Sequence, residues 1–288
     1  MSLDNIRFIF FGTPDIAVTA LDELYAQDLL PCAIVTAPDA PRGRGLQMFP
    51  SPVSMWAEKH ALPVHKPTSL RDPSFLETMR DLQPEVYVVV AYGKILPKEL
   101  LSIPKFGALN MHPSLLPKHR GPSPIESQIL KEQTAENVGV TIMLLDELMD
   151  HGPILAQESV ADSVVSWPIP ASQLRPKLAQ VGAKLLTRVL PEYLQNSITP
   201  IPQNDKDATF CHIIKKEDAL IDLADDPYTN YLKILAYDVW PRAFFYTNKG
   251  ERKIRVIITG ATYKNDTLTI THIIPEGKRE MTYKEFLN

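Results

Sequence analysis

Three short apolar segments in the N-terminal part of the chain lack the polar–apolar alternation that marks a half-exposed strand. They span residues 6–12, 32–36 and 86–91. The intervening stretches carry apolar residues at helical spacing, most clearly over residues 16–24. Strands that are apolar on both faces and alternate with helices are typical of a parallel sheet covered by helices on both sides. We therefore expect an α/β fold with a mostly parallel central sheet.

The turn after the first segment argues against a nicotinamide dinucleotide site, which sheets of this kind often carry. Its sequence is FGTPD, residues 11–15. A glycine between a strand and a helix can hold a phosphate at the helix N-terminus, but the GxGxxG pattern is absent, and Pro14 and Asp15 stand where flexible glycines are needed. The sequence thus predicts a Rossmann-like half without a nicotinamide site.

Composition restricts the class of protein further. Apolar residues make up 44% of the 288 residues and charged residues 22%, as in an ordinary globular protein. No apolar run approaches the ~20 residues that span a bilayer, and the N-terminus shows no secretory signal. Cys32 and Cys211 show no paired spacing, which favours free thiols in a reducing, cytoplasmic setting. The net charge of −4 means that any nucleic-acid surface must be a local patch.

Residues 107–124, GALNMHPSLLPKHRGPSP, form the centre of the candidate site. A short apolar run ends at Met111 and is followed by three prolines, which indicates a strand that runs into a rigid loop. Asn110 and His112 are two residues apart, so on a strand both side chains leave the same face. An amide donor beside a base that titrates near neutrality suits acyl transfer. Alternatively, the two side chains merely cap the loop.

These motifs resemble a known family. Asn110-x-His112 followed by Ser114-Leu115-Leu116-Pro117 and, later, Asp150-x-Gly152 is similar to the core motif of the formyltransferases that use 10-formyltetrahydrofolate. Within that group, the chain resembles the methionyl-tRNA formyltransferases over residues 6–245, and again over 277–288. The segments that carry this resemblance are FGTPD (11–15), GRG (43–45), PSPV (50–53), VVVAYGKILP (88–97) and GVTIM (139–143).

The resemblance implies a catalytic role for Asn110, His112 and Asp150. Asn110 would donate hydrogen bonds to the oxyanion, and Asp150 would orient the His112 imidazole. His112 would either accept the proton of the attacking amine or, when protonated, stabilise the oxyanion; the sequence does not choose between these roles. Asp150 could also be a simple turn residue before Gly152, and Asp146 is the competing carboxylate.

The resemblance also implies contacts to both substrates. Two groups of residues would contact the folate donor: Ser114, Leu115, Leu116 and Pro117, and also Ala91, Tyr92, Gly93, Ile95 and Leu96. The loop 38–52, whose composition alone suggests a solvated surface loop, would contact the acceptor stem of initiator methionyl-tRNA through Arg42 and Arg44. Leu46 and Gln47 depart from the family pattern, which commonly has lysines there, so fewer phosphate contacts are expected.

We expect a catalytic domain over residues 1–195, a polar, proline-bearing linker over 196–207 and a small, truncated OB-like β domain over 208–288. No spacing of histidines with acidic residues or cysteines suggests a metal site. We also expect a monomer without membrane contact. Three alternatives stay open: an amino-sugar nucleotide N-formyltransferase, a hydrolase of 10-formyltetrahydrofolate, and a non-catalytic tRNA- or folate-binding relative.

Overall fold

The computed structural model describes residues 6–42, 47–250 and 252–288. The strands are β1 (Phe8–Gly12), β2 (Ala33–Val35), β3 (Ala40–Arg42), β4 (Gln47–Phe49), β5 (Val64–His65), β6 (Val86–Val90), β7 (Ala108–His112), β8 (Gly139–Leu144), β9 (Ile154–Ser159), β10 (Phe244–Lys249), β11 (Arg252–Lys264), β12 (Thr267–Pro275) and β13 (Met281–Thr282). The α-helices are α1 (Asp15–Ala26), α2 (Pro52–Lys59), α3 (Pro73–Asp81), α4 (Lys98–Leu101), α5 (Pro124–Lys131), α6 (Ala171–Leu194), α7 (Pro227–Ala236) and α8 (Tyr283–Leu287). Over the described ranges, no helix has both the length and the apolar character that a membrane span requires.

The central sheet has seven strands in the order β5-β2-β1-β6-β7-β8-β9. The first five run parallel to one another, while β8 pairs antiparallel with β7, and β9 antiparallel with β8. The expectation of a mostly parallel α/β sheet is therefore confirmed. Because the chain leaves the parallel pattern after β7, the residues that end β7 lie where the topology changes, a usual position for a binding site.

Both faces of the sheet are covered, which explains the unbroken apolar runs. On β1, Phe8 and Phe10 belong to a large core shared with α1 and α6. Ile9 and Phe11 point the other way, into a second core with α3 and α4. A strand buried on both faces needs apolar residues at every position, because successive side chains alternate between the two cores.

The C-terminal residues form a separate sheet with the order β10-β11-β12-β13, antiparallel throughout. It has its own small core around Val256 and Ile273, which accounts for the β-rich character expected of this part. Its first and last strands are not paired with each other in the described residues, so the sheet is open rather than a closed barrel. Helix α7 also packs into the core of the first domain through Leu235 and Ala236. The division into 1–195, 196–207 and 208–288 stays a prediction.

Candidate active site

Strand β7 places the two polar residues of the central stretch side by side. It lies between β6 and β8, with Asn110 opposite Val89 on one side and Met143 on the other. The intervening Met111 is buried in the large core, so Asn110 and His112 leave the opposite face. Asn110 is half-buried, and His112 is only 4% exposed. The strand therefore holds an amide and an imidazole in fixed positions at its carboxyl end.

The turn after β8 brings Asp150 back to His112. The distance between His112 Nδ1 and Asp150 Oδ1 is 3.6 Å, and Asp150 Oδ2 accepts a 2.8 Å hydrogen bond from the Gly121 amide. Asp150 has a positive φ of 49°, an unusual conformation for a non-glycine residue. Gly152 makes the tight return possible, because a Cβ there would lie 2.0 Å from the Leu144 carbonyl oxygen. The structure thus brings Asn110, His112 and Asp150 to one place.

The second nitrogen of His112 fixes the tautomer of the ring. Nε2 lies 3.1 Å from the carbonyl oxygen of His119. A carbonyl oxygen can only accept, so Nε2 carries the hydrogen of this bond. Any further proton that the ring takes up must therefore be bound at Nδ1, which is the atom that faces Asp150.

The three side chains line a cleft of about 430 Å³. Most of its other lining residues are apolar. They come from the end of β6 and the residues that follow it (89–96), from residues 121–126, which run into the start of α5, and from the turn 145–150. An apolar cleft of this size with a few convergent polar groups is typical of a small-molecule site. Within the described residues, no cluster of three or more His, Cys, Asp or Glu side chains is arranged to hold a metal ion.

One of the two predicted groups of folate contacts lies in this cleft. Ala91, Tyr92, Gly93, Ile95 and Leu96 all line it. Gly93 adopts a φ of 83° and Ala91 a φ of 47°, so the chain turns sharply after β6 and follows the rim. Tyr92 packs edge-on against Phe11 at 5.5 Å, and its burial raises the pKa of its hydroxyl to about 12.

The structure does not bring the other predicted group, Ser114–Pro117, into the cleft. Ser114 is fully buried, and its hydroxyl donates to the Lys118 carbonyl. The Leu116 amide donates to Thr141 Oγ1, and Leu115 lies against Gly139. These contacts turn the segment towards β8, so its polar groups are engaged within the protein. None of the four lines the cleft, and their role as folate contacts stays a prediction.

The two predicted tRNA contacts lie at the edge of the described structure. Arg44 is outside the described residues. Arg42 ends β3, and its side chain also lies outside the described part. Their role stays a prediction.

Three further polar pairs surround the site and were not anticipated from the sequence. His119 Nε2 lies 2.8 Å from Glu132 Oε1, and burial lowers the pKa of His119. His151 has Nδ1 2.6 Å from Asp146 Oδ2. In the cleft wall, Arg175 donates to Glu126 at 2.8 Å. The only signal in the sequence for His119 is its place in the loop that follows His112.

Comparison with known proteins identifies chains of similar sequence. The formyl transferase family model matches residues 4–190. Methionyl-tRNA formyltransferase of Chloroflexus aurantiacus is 45% identical over 263 residues, which cover 90% of this chain and 83% of the relative. The enzyme of the same name from Geobacillus thermodenitrificans is 36% identical over 302 residues, covering 98% of this chain and 93% of the relative.

Solved structures show the same fold at low sequence identity. Methionyl-tRNA formyltransferase from Clostridium thermocellum has a TM-score of 0.61 and 17% identity, over 94% of this chain and 99% of that structure. An N-formyltransferase from Helicobacter canadensis, in complex with folinic acid and dTDP-3-aminofucose, has a TM-score of 0.66 and 19% identity, over 91% of this chain and 89% of that structure.

Proposed function

We propose a function on the basis that the chain belongs to the formyl transferase family. The protein transfers a formyl group from 10-formyltetrahydrofolate to the amino group of initiator methionyl-tRNA. The relatives of that name cover nearly the whole chain, which supports this acceptor over an amino-sugar nucleotide. The observation that carries the proposal is the convergence of Asn110, His112 and Asp150 on one apolar cleft.

The cleft fits the donor in size and chemistry. At about 430 Å³, it lies within the range of small-molecule pockets and exposes apolar side chains to a flat ring. We propose that residues 91–96 hold the folate, with Leu96 and Tyr92 forming part of the apolar wall. When bound, the donor supplies an activated formyl carbon to the acceptor's amine.

Asn110 and His112 have separate tasks in this proposal. The Asn110 amide donates to the formyl oxygen as negative charge develops on it, which is worth about 3 kcal/mol for one such donor. His112 takes up the amine proton at Nδ1, because Nε2 already donates to the His119 carbonyl. The proton then passes to the nitrogen that leaves the formyl carbon.

Asp150 stabilises His112 while the ring is charged. The carboxylate lies 3.6 Å from Nδ1, and the two side chains are 14% and 5% exposed, so water screens the attraction weakly. The Gly121 amide holds the other oxygen and keeps the carboxylate facing the ring. Asp146 is the weaker candidate, since its carboxylate is paired with His151 instead.

Because initiator methionyl-tRNA is a substrate of translation, we expect the reaction to take place in the cytoplasm. We retain the expectation of a monomer, which sedimentation equilibrium tests directly. Arg42 and Arg44 are proposed contacts to the tRNA backbone, on the resemblance of the surrounding loop.

One experiment separates the candidate reactions. Donor labelled in the formyl group is incubated with purified protein and with charged initiator tRNA, an amino-sugar nucleotide or buffer alone. We expect label on the methionyl group of the tRNA. Label on the sugar would replace the proposed acceptor, and release of labelled formate in buffer at the same rate would indicate hydrolysis.

A further inference from the structure

The segment between the two sheets contacts the candidate active site directly. Ile201 forms an isolated bridge with Ile154, with a 2.8 Å hydrogen bond in each direction. Further on, Arg120 donates its amide to the Thr209 carbonyl and accepts from the Cys211 amide. The segment 201–211, which begins in the predicted linker (196–207) and runs into the predicted C-terminal domain, is therefore fixed at one end to β9 and at the other to the loop after β7.

Gln203 lies between these two anchors and contacts both loops of the site. Its Nε2 donates to the carbonyl oxygens of Asp150 at 2.9 Å and Gly152 at 2.7 Å. Its Oε1 accepts a 2.9 Å hydrogen bond from Nε of Arg120, a residue only 3% exposed. One side-chain amide thus joins the Asp150 turn to the residue next to Gly121.

This contact matters because the Asp150 turn is unfavourable by itself. A non-glycine residue at a φ of 49° persists only where the surroundings hold it. The Asp150 carbonyl is held by Gln203, and its carboxylate is held by the Gly121 amide. Through their mutual hydrogen bond, Gln203 and Arg120 fix the distance between the Asp150 backbone and the Gly121 amide that binds the Asp150 carboxylate.

We infer that Gln203 is a positioning residue that sets the distance between the Asp150 carboxylate and His112. This inference rests on the proposed function, because the step that it serves is the proton uptake by His112. Gln203 does not line the cleft, so it acts through Asp150 and not on the substrates.

Two substitutions separate the contacts of Gln203. Gln203→Met keeps the length of the side chain and removes both halves of the amide. Gln203→Glu keeps an acceptor for Arg120 but turns the donor towards two carbonyl oxygens into another acceptor. Gln195→Met is the matched control, since Gln195 is exposed at the end of α6.

We expect both Gln203 variants to lower kcat between about tenfold and a hundredfold, the range associated with a small misplacement of a catalytic group. The KM for the folate donor should change less than about twofold, since the folate residues are not touched. In an Asp150→Asn background, Gln203→Met should add less than about a threefold loss, because coupled residues give non-additive effects. Gln195→Met should behave like the wild type.

A measurement without turnover completes the test. Hydrogen exchange of the Gly121 amide, which donates to Asp150, should be faster in Gln203→Met than in the wild type and in Gln195→Met. A kcat within twofold of the wild type, an undiminished loss in the Asp150→Asn background, or unchanged Gly121 exchange would each overturn the inference. If the wild type fails to formylate methionyl-tRNA, the proposed function fails, and the exchange measurement alone decides the role of Gln203.

Discussion

Replacing Asp150 with asparagine tests the electrostatic part of the proposed mechanism. Asparagine has the same shape and can still accept the hydrogen bond from the Gly121 amide through its side-chain oxygen. The change therefore removes the negative charge 3.6 Å from His112 Nδ1 and preserves the neighbouring loop.

The expected loss follows from that distance. Two unit charges 3.6 Å apart attract each other by about 4 to 5 kcal/mol at an effective dielectric constant of about 20. This attraction is present only while His112 carries the amine proton, so it lowers the barrier and not the ground state. Since about 1.4 kcal/mol corresponds to a factor of ten, kcat should fall about a thousandfold.

The assay is single-turnover transfer of a labelled formyl group to charged initiator tRNA, with tetrahydrofolate binding measured by calorimetry. Binding should stay within about twofold of the wild type, because the charge does not contact the folate in this proposal. Asp146→Asn should lose less than about tenfold, since Asp146 pairs with His151. Asp162→Asn, at an exposed position, is the control for the charge change.

Two results would refute this reasoning. A kcat for Asp150→Asn within tenfold of the wild type would mean that the carboxylate charge does not stabilise His112 in the transition state. A larger loss for Asp146→Asn than for Asp150→Asn would assign the role to the other carboxylate.

Three further changes test other parts of the structure. Asn110→Ala should lower kcat by about a hundred- to a thousandfold and leave tetrahydrofolate affinity unchanged in calorimetry, because only the oxyanion donor is lost. Arg44→Ala should raise the KM for tRNA more than it lowers kcat and reduce the slope of log affinity against log salt by about one; an unchanged slope contradicts a phosphate contact. Burial lowers the pKa of His119 from 6.5, so the unfolded chain binds a proton that the folded chain does not, and stability should be lost as the pH falls below about 6.5. Urea midpoints at pH 8 and 5.5 should differ less in His119→Gln than in the wild type; an equal difference would exclude His119 as the cause.

The central sheet could be predicted because each buried strand appears in the sequence as a short, unbroken apolar run. On β1 and β6, every residue is buried, and the sequence shows this as an unbroken apolar run. The direction of β8 could not be predicted in the same way. Its sequence, GVTIML, is buried at every position except Leu144, but the chain reaches it through the loop 113–123, α5 and residues 132–138, and β8 runs antiparallel to β7. The direction of a strand depends on the path of the chain that leads to it, and the periodicity of apolar residues gives no information about that path.

The same distinction between local and long-range information applies to the candidate site. The spacing of Asn110 and His112 is a property of a single strand, so the sequence was sufficient to place them on one face. The folate contacts assigned to Ser114–Pro117 depended on where a loop points. The loop is fixed to β8 because the Leu116 amide donates to Thr141 Oγ1, 25 residues away, and the Thr141 hydroxyl donates to the Ser114 carbonyl. Gln203 and Asp150 are 53 residues apart in the sequence, and no local sequence pattern predicts their contact.

The partners that hold the side chains of His112 and Asp150 are largely backbone groups, and these groups belong to a loop, 113–123, that contains three prolines and one glycine. His112 donates to the carbonyl of residue 119, and Asp150 accepts from the amide of residue 121. Such contacts do not depend on the side chains at those positions, but they do require one particular backbone path. Gly121 has a φ of 120°, and a Cβ there would lie 2.4 Å from the Cys211 carbonyl oxygen. The glycine that the sequence shows is therefore needed twice: for the conformation that aims its amide at Asp150, and for the close approach of the segment that also carries Gln203. The proposed catalytic groups and the chain that joins the two sheets are packed together, so the path of the segment 201–211 shapes the candidate active site as much as the side chains that line the cleft.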